Sequence, residues 1–161
     1  MKIKIGDKIP NEKVFTFDNN KPVEIKIGKF LENQKVILFG LPGAFTSMCS
    51  SKHLPGYVEL HDQFKNKGID KLICISVNDP FVMNAWGKIN NVQDKIIMIS
   101  DPFLNFTNSI GATIDKTSRG LGFRSNRYVM LINDLTLVMI EEEKDTAICE
   151  ISSADNFLNL I

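Results

Sequence analysis

The sequence predicts an α/β sandwich, in which helices cover a central β-sheet. Three short apolar runs, at 36–39, 72–77 and 96–99, are each typical of a strand buried on both faces. Segments with helical periodicity separate these runs, and such alternation of strand and helix is typical of layered α/β domains. A length of 161 residues suits one domain, so residues 1–161 are expected to form a single domain.

The remaining elements follow the same order along the chain. Residues 1–12 are predicted to be an extended lead-in, 28–34 a short helix or loop, and 112–124 a polar loop. Further strands are predicted at 14–17, 23–27, 128–132 and 135–140, and further helices from Ser47, after Asp79, at 105–110 and at 154–160. Strands 14–17 and 23–27 should pair as a hairpin.

Three residues give more specific predictions about the helices. Pro55 should kink or divide the first long helix, because proline cannot donate to the preceding turn. Asp79 is expected to cap the next helix, with Pro80 in its first position, and Ser153 to cap the last. The first long helix should end at Lys67, before Gly68.

Composition excludes several classes of function. Nineteen basic and nineteen acidic residues give zero formal net charge, so neither nucleic acid nor an anionic membrane is expected as a partner. The sequence contains no run of about 18 apolar residues, so no transmembrane helix is expected. Three cysteines do not form a disulfide framework and fit a reducing compartment. Since the first residues lack a signal-peptide core, we expect a cytoplasmic protein, or an organellar one if a targeting segment has been removed.

The stretch LPGAFTSMCS, residues 41–50, combines a strand end, a turn and a helix start. Thr46 is predicted to be the N-cap, with its side chain accepting a backbone hydrogen bond, which places Cys49 in the first helical turn. Unpaired N–H groups and the helix dipole favour negative charge there, and therefore a nucleophilic thiolate. The local pattern leaves open that Cys49 is merely a small apolar core residue.

The pattern Pro42-x-x-x-Thr46-x-x-Cys49 resembles the active-site signature of the peroxiredoxins. The string PGAFTxxCS is similar to the peroxiredoxin 5 and plant type II branch, as are HLPG at 53–56, SVNDPFV at 76–82 and SNRY at 125–128. The resemblance extends from about Phe15 to the C-terminus. It implies a thioredoxin-like fold with a mixed central sheet, and a thiol-dependent peroxidase that reduces hydrogen peroxide and alkyl hydroperoxides. One departure is Ser47, where the family usually has proline.

The resemblance also implies the roles of four catalytic residues. Cys49 would attack the peroxide and become a sulfenic acid, and Arg127 would stabilise the thiolate and bind the peroxide. Thr46 would donate or relay a hydrogen bond, and Pro42 would shield the sulfur from solvent. The backbone N–H groups of residues 44–49 would complete the oxygen-binding site.

Residues around Arg127 supply alternatives and a candidate pocket wall. Without the resemblance, Arg127 would be interpreted as a solvated arginine at a strand end, and Arg119 and Arg124 are fallback candidates for its role. Leu121 and Phe123 could wall a pocket that admits organic hydroperoxides.

Two other cysteines could resolve the sulfenic acid. Cys74 lies where plant type II members carry a second cysteine, but its apolar strand favours a core role. Cys149 lies near the resolving position of animal peroxiredoxin 5, about two residues out of register. The preferred hypothesis is a one-cysteine cycle with glutathione and glutaredoxin, or thioredoxin, as reductant, in antioxidant defence and redox homeostasis. No metal, haem, flavin or nicotinamide cofactor is implied.

The same residues allow several other functions. Cys49 and His53 could form a thiol–imidazole pair for hydrolysis, although no diagnostic orienting residue accompanies them. A metal site of Cys49, His53 and Cys74 lacks the paired spacing of zinc sites. A dithiol exchanger would need the absent Cys-x-x-Cys. A non-catalytic binding or chaperone module of the same fold would tolerate Cys49→Ser and Arg127→Ala.

A homodimer is implied by the branch that the sequence resembles. Phe45, Phe81, Val82 and Trp86 would supply its apolar surface beside the active site. The spacing of Val82 and Trp86 equally allows both to face the core.

Overall fold

A seven-stranded mixed sheet forms the centre of the computed structural model, which describes all 161 residues. Its strand order is β2-β1-β5-β4-β3-β8-β9, and a separate two-stranded sheet pairs β6 with β7. Strands β3, β4 and β5 run parallel, whereas β1 and β8 are antiparallel to their neighbours. The strands are β1 Lys13–Asp18, β2 Lys21–Lys26, β3 Lys35–Gly40, β4 Lys71–Ser76, β5 Ile96–Ser100, β6 Thr113–Asp115, β7 Phe123–Ser125, β8 Tyr128–Asn133 and β9 Thr136–Glu142.

Helices cover both faces of this sheet. The α-helices are α1 Leu54–Glu59, α2 His61–Asn66, α3 Pro80–Ile89, α4 Asn105–Ser109 and α5 Ala154–Leu160. Two 3₁₀ turns, Ile27–Phe30 and Thr117–Arg119, and one π-helical turn, Cys49–His53, complete the regular structure. None of these helices is long and apolar enough to span a membrane.

Two hydrophobic clusters lie on opposite faces, as strand alternation requires. One contains Phe39, Cys74 and Val129 together with Cys49 and residues of α1, α2, α3 and α5. The other contains the alternate strand residues and Phe106 of α4. Since residues 127, 129 and 131 share one direction, Arg127 is aimed at the face that carries Cys49.

The structure confirms the predicted α/β architecture, the seven strands and the first hairpin. Asp79 caps α3 as predicted, with its carboxylate accepting from Val82 N at 3.0 Å, and Ser153 caps α5. The helix that follows Cys49 ends at Asn66, and Gly68 adopts a φ of +79° directly after it.

One prediction of local structure is wrong. Residues 112–124 are not a loop throughout, because β6 and β7 pair as a short hairpin. Pro55 is expected to kink or divide the helix, and the regular α-helical pattern is interrupted directly before it: the π-turn Cys49–His53 is followed by α1, whose first turn contains Pro55. A further break falls at Leu60, whose φ and ψ are −90° and 7°.

The last residue of β3, Gly40, brings the strand before the active-site loop against the strand that follows Arg127. Gly40 pairs with Tyr128 in the antiparallel register. A Cβ at Gly40 would overlap the ring of Tyr128, which is fully buried. Only glycine therefore allows this approach of the two strands.

We expect Gly40→Ala to lower the free energy of unfolding by about 1–3 kcal/mol, because the ring of Tyr128 would have to move within a packed core. Chemical denaturation measures this. In a Tyr128→Leu background the same substitution should cost distinctly less. An equal cost in both backgrounds would contradict the contact.

Candidate active site

The loop at 41–46 is held in shape from the neighbouring strand end. Asn78 accepts the N–H of Ala44 at 2.8 Å, and Ser76 Oγ donates to the same side-chain oxygen at 2.8 Å. Phe45 adopts a φ of 62°, a left-handed conformation that non-glycine residues rarely take. Such strain persists only where the surroundings fix the backbone. The Ala44 N–H, bonded to Asn78, is thus not free for an incoming oxygen.

Thr46 stands at the helix start, but its hydroxyl does not cap the helix as predicted. The hydroxyl donates to Gly43 O at 2.8 Å, while the carbonyl of Thr46 accepts from Ser50 N at 3.0 Å. Since the one hydroxyl proton is directed into the turn, the oxygen keeps its lone pairs as acceptors. Towards a peroxide it is therefore suited to accept a hydrogen bond.

Cys49 is fully buried and begins the π-turn Cys49–His53. No hydrogen bond joins the N–H groups of Ser47, Met48 or Cys49 to another protein group. These are the unpaired donors that every helix start leaves. Cys49 thus lies in the first helical turn, where the backbone N–H groups are free, as the sequence predicted.

Arg127 is the main partner of the thiol. Its side chain is only 1% exposed, and Nη2 donates to Cys49 Sγ at 3.4 Å and to Thr146 O at 2.8 Å. Its Nε is buried without a protein acceptor. The alternative of a solvated strand-end arginine is excluded by this burial. A permanently charged hydrogen-bond donor therefore lies beside the sulfur.

His53 orients this arginine, a role that the sequence analysis did not predict. The imidazole is fully buried, with Nδ1 at 2.9 Å from Arg127 Nη1 and Nε2 at 3.1 Å from Ser152 O. Guanidinium can only donate, so Nδ1 accepts and Nε2–H donates to the carbonyl. Burial first, and then the charge of Arg127, lower the pKa of His53 to about 3. His53 is therefore neutral, and its tautomer is fixed.

The two carbonyls that orient Arg127 and His53 belong to one loop, residues 144–153, which a buried carboxylate holds. Glu143 is 4% exposed, and its Oε1 accepts from Glu150 N at 2.6 Å, Ser152 N at 3.0 Å and Ser152 Oγ at 2.9 Å. Its own N–H donates to Arg127 O at 2.9 Å. No sequence motif pointed to Glu143.

Pro42 is buried at the loop, where Arg124 contacts its carbonyl. Arg124 Nη1 donates to Pro42 O at 3.4 Å, and Nε donates to Leu121 O at 2.8 Å. Arg124 thus ties the β6–β7 hairpin to the active-site loop, while Arg127 is the arginine that reaches the sulfur. Of the three arginines considered, Arg124 has a structural contact and Arg119 is exposed.

A cavity of about 330 Å³ opens above this cluster. Pro42, Thr46 and Arg127 line it, so three of the four predicted site residues meet there, and the sulfur of Cys49 lies directly behind, in contact with Arg127. Leu121 also lines the cavity, as expected, but Phe123 does not and is 58% exposed.

Trp86 does not contribute to the apolar surface that was predicted beside the active site. It is fully buried, and its indole N–H donates to Ser50 Oγ at 3.0 Å. Phe45 and Phe81 are the exposed members of the predicted surface, at 55% and 60%, and Val82 is half-buried. The helical spacing allowed either orientation, and packing against the helix of Cys49 decided it.

The other two thiols are free and buried. Cys74 lies in the middle of the central strand β4, where burial, with a further contribution from Cys49, raises the pKa of its thiol well above the usual range. Cys149 lies in the loop at 144–153, and burial raises its pKa although Arg127 acts in the opposite direction. Neither thiol is in an environment that activates it.

Two alternative functions lose support from this geometry. His53 Nδ1 already accepts from Arg127, so it is not a base for the Cys49 thiol. No cluster of three or more His, Cys, Asp or Glu side chains has an arrangement that could hold a metal ion.

Comparison with known proteins identifies the family to which the chain belongs. The Redoxin family model matches residues 4–158. Peroxiredoxin-2B of Arabidopsis thaliana is 39% identical over 160 residues, which cover 99% of this chain and 98% of the relative. Two solved structures also match: reduced Prx3 of Vibrio vulnificus in complex with H₂O₂ (37% identity, TM-score 0.92) and the antioxidant protein, a 1-Cys peroxiredoxin, of Plasmodium falciparum (35%, 0.92), each with 98% of both chains covered. The fold is therefore thioredoxin-like, as predicted.

The buried neutral His53 makes stability depend on pH. Its pKa is about 3 in the folded protein and 6.5 ordinarily, so the unfolded state binds an extra proton between these values. The contribution is complete above about pH 6.5 and is lost as the pH falls towards 3, by at most about 1.4 kcal/mol per pH unit.

His53→Gln keeps an acceptor for Arg127 and a donor for Ser152 but cannot titrate. Between about pH 4 and pH 7, its free energy of unfolding in urea should therefore fall less steeply than that of the wild type. His61→Gln, on α2 near the surface, is the matched control. Parallel slopes for wild type and His53→Gln would contradict a buried neutral imidazole.

Proposed function

The chain belongs to the Redoxin family and is a thiol peroxidase of the peroxiredoxin type, and from that premise we propose that Cys49 is its peroxide-reducing nucleophile. A peroxiredoxin acts on a peroxide, takes electrons from a thiol reductant and has an antioxidant role. One observation carries the residue assignment: the buried guanidinium of Arg127 donates to Cys49 Sγ at 3.4 Å.

The proposed step is attack of the Cys49 thiolate on the terminal peroxide oxygen. An S–O bond forms, the O–O bond breaks, and the departing alkoxide or hydroxide takes up a proton. Arg127 stabilises the charge on both sides of this transfer, with its unpartnered Nε–H as a further donor. Thr46 accepts from the peroxide O–H, and Pro42 covers the loop side of the site. The N–H groups of Met48 and Cys49 complete the donors, without Ala44.

We propose hydrogen peroxide and small alkyl hydroperoxides as substrates. The Vibrio vulnificus relative was solved with H₂O₂, which supports the first of these. The cavity of about 330 Å³ and the apolar side chain of Leu121 support the second, since hydrogen peroxide alone needs far less space.

The sulfenic acid on Cys49 is proposed to be reduced directly by an external thiol, in a one-cysteine cycle. The burial of Cys74 in β4 supports this, as does the burial of Cys149 in the loop at 144–153, which the carboxylate of Glu143 fixes by hydrogen bonds. Glutathione with glutaredoxin, or thioredoxin, is the proposed reductant, and the proposed location is the cytoplasm, or an organelle if a targeting segment is removed. Residues 1–161 are proposed to act as one domain with a role in antioxidant defence and redox homeostasis.

Intact mass after about one equivalent of hydrogen peroxide, without reductant, tests the nucleophile and the cycle together. The wild type, Cys74→Ser and Cys149→Ser should each gain one oxygen, because none needs a second cysteine. Cys49→Ser should not change.

Other changes in mass would contradict either the one-cysteine cycle or the assignment of the nucleophile. Loss of two hydrogens in the wild type would contradict the one-cysteine cycle, and peptide mapping would identify the resolving cysteine. No fast change, or the same change in Cys49→Ser, would contradict Cys49 as the nucleophile and favour a binding or chaperone module.

We also propose a homodimer that uses the exposed side chains of Phe45 and Phe81. Phe45 lies on the active-site loop, and Phe81 lies in the first turn of α3, where it packs edge-on against Phe17 with ring centroids 5.1 Å apart. Exposed aromatic side chains are enriched in the buried centres of protein interfaces. The buried Trp86 is not part of this surface.

Phe45→Lys and Phe81→Lys should each shift the protein from dimer to monomer in sedimentation experiments at micromolar concentration, because a charge in the interface centre is desolvated without a partner. Phe123→Lys, equally exposed on β7, is the matched control and should leave the mass unchanged. A monomeric wild type would contradict the dimer.

A further inference from the structure

The cavity above the active site is strongly cationic at its mouth. Ten residues line it, and three of them, Lys116, Arg119 and Arg127, carry positive charge, whereas none is acidic. The chain as a whole has no net charge, so this excess is local. Arg127 is already committed to the thiol, but Lys116 and Arg119 form no ion pair.

The β6–β7 hairpin builds this cationic mouth. Lys116 N donates to Gly122 O at 2.8 Å, and Leu121 N donates to Lys116 O at 3.2 Å, so the turn between the strands is closed by backbone bonds. The 3₁₀ turn Thr117–Arg119 lies within it, and Arg124 attaches it to the active-site loop. Lys116 is half-buried and Arg119 is exposed, which places them outward of the buried Arg127.

Two carboxylates directly precede lining residues in the sequence, Asp115 before Lys116 and Asp145 before Thr146, and each accepts a local backbone hydrogen bond. Asp115 accepts from Thr117 N at 2.8 Å, and Asp145 accepts from Ala147 N at 2.8 Å. Neither lines the cavity. Lys116 and Arg119 are therefore neither paired with a carboxylate nor joined by an acidic residue in the cavity lining.

The chemical character of the side chains changes from the floor of the cavity to its mouth, and this order indicates which ligand the cavity would bind. Arg127 and Thr46 at the floor suit a hydroperoxide group, Leu121 and Met48 offer apolar walls, and Lys116 and Arg119 suit an anion at the entrance. We propose, on the basis of the function proposed above, that this peroxidase preferentially reduces hydroperoxides that carry a carboxylate beyond an apolar spacer. Lys116 and Arg119 would bind the carboxylate and determine this specificity.

The reaction itself is unchanged by this binding mode. The Cys49 thiolate forms an S–O bond with the terminal oxygen, the O–O bond breaks, and the alkoxide takes a proton. The product is a hydroxy carboxylate, and the sulfur is oxidised by two electrons to the sulfenic acid. The carboxylate takes no part in bond making and remains at the mouth.

The test compares a medium-chain hydroperoxy carboxylate with its methyl ester, which differs only in the charge. We expect the wild type to have about a five- to tenfold higher kcat/KM for the acid at low ionic strength, and a smaller preference at about 0.5 M salt. The variant K116Q/R119Q should lose the preference and keep its activity on hydrogen peroxide within about twofold. The variant K21Q/K26Q on β2, which removes the same charge far from the cavity, should behave as the wild type.

Three results would overturn the proposal. The wild type could use acid and ester equally, or K116Q/R119Q could lose acid, ester and hydrogen peroxide activity together. The third such result would be a K116Q/R119Q variant that keeps the preference for the acid but whose sulfenic acid is reduced more slowly by glutathione. The cations would then serve an anionic thiol.

Binding separates this proposal from the proposed function. If the wild type reduces no hydroperoxide, the peroxidase function fails. Calorimetry with the corresponding hydroxy carboxylate and its ester on the Cys49→Ser protein still measures recognition at the mouth. Tighter binding of the acid, lost in K116Q/R119Q, supports the site, and equal binding of acid and ester overturns it.

Discussion

The burial of one guanidinium is the constraint on which the rest of the site depends. Removing a charged group from water costs several kcal/mol unless hydrogen bonds to other groups compensate for the lost hydration. Here Arg127 donates to a sulfur, an imidazole nitrogen and a backbone carbonyl. The first two acceptors belong to the π-turn Cys49–His53 and the third to the loop before α5, so both segments must be in place before the charge is accommodated.

The loop at 144–153 shows how far this dependence extends. It supplies the carbonyl of Thr146 to Arg127 and that of Ser152 to His53, and Tyr57 also donates to Ser152 O at 2.9 Å. Glu143 fixes the loop with one carboxylate oxygen. Its side chain is thus two contacts from the histidine that orients the catalytic arginine. Rigid support of this kind holds reacting groups in productive geometry.

The sequence predicted those features that depend on local patterns. Apolar runs located the strands, and Asp79 and Ser153 marked two helix starts correctly. Cys49 was placed at a helix start by local physics, whereas the role of Arg127 came only from the resemblance, because its sequence neighbours do not show what it faces. For His53, the sequence suggested only an unsupported pairing with the Cys49 thiol and gave no sign of its contact with Arg127. The strands β6 and β7 are three residues each, too short for periodicity to detect. The hydroxyl of Thr46, predicted to cap the helix, bonds to Gly43 O instead, and the side chain of Trp86 had two permitted directions, of which tertiary packing selected the buried one.

Because Cys49–His53 is a π-turn, the geometry of the site depends on the number of residues in this segment. Such a turn is an α-helix with one extra residue inserted, and each residue advances an α-helix by about 100°. The insertion sets the angle between the sulfur and the imidazole that both meet Arg127. Across evolution, this segment can therefore exchange side chains more readily than it can gain or lose a single position. A one-residue deletion would rotate Cys49 away from the arginine without altering any catalytic side chain.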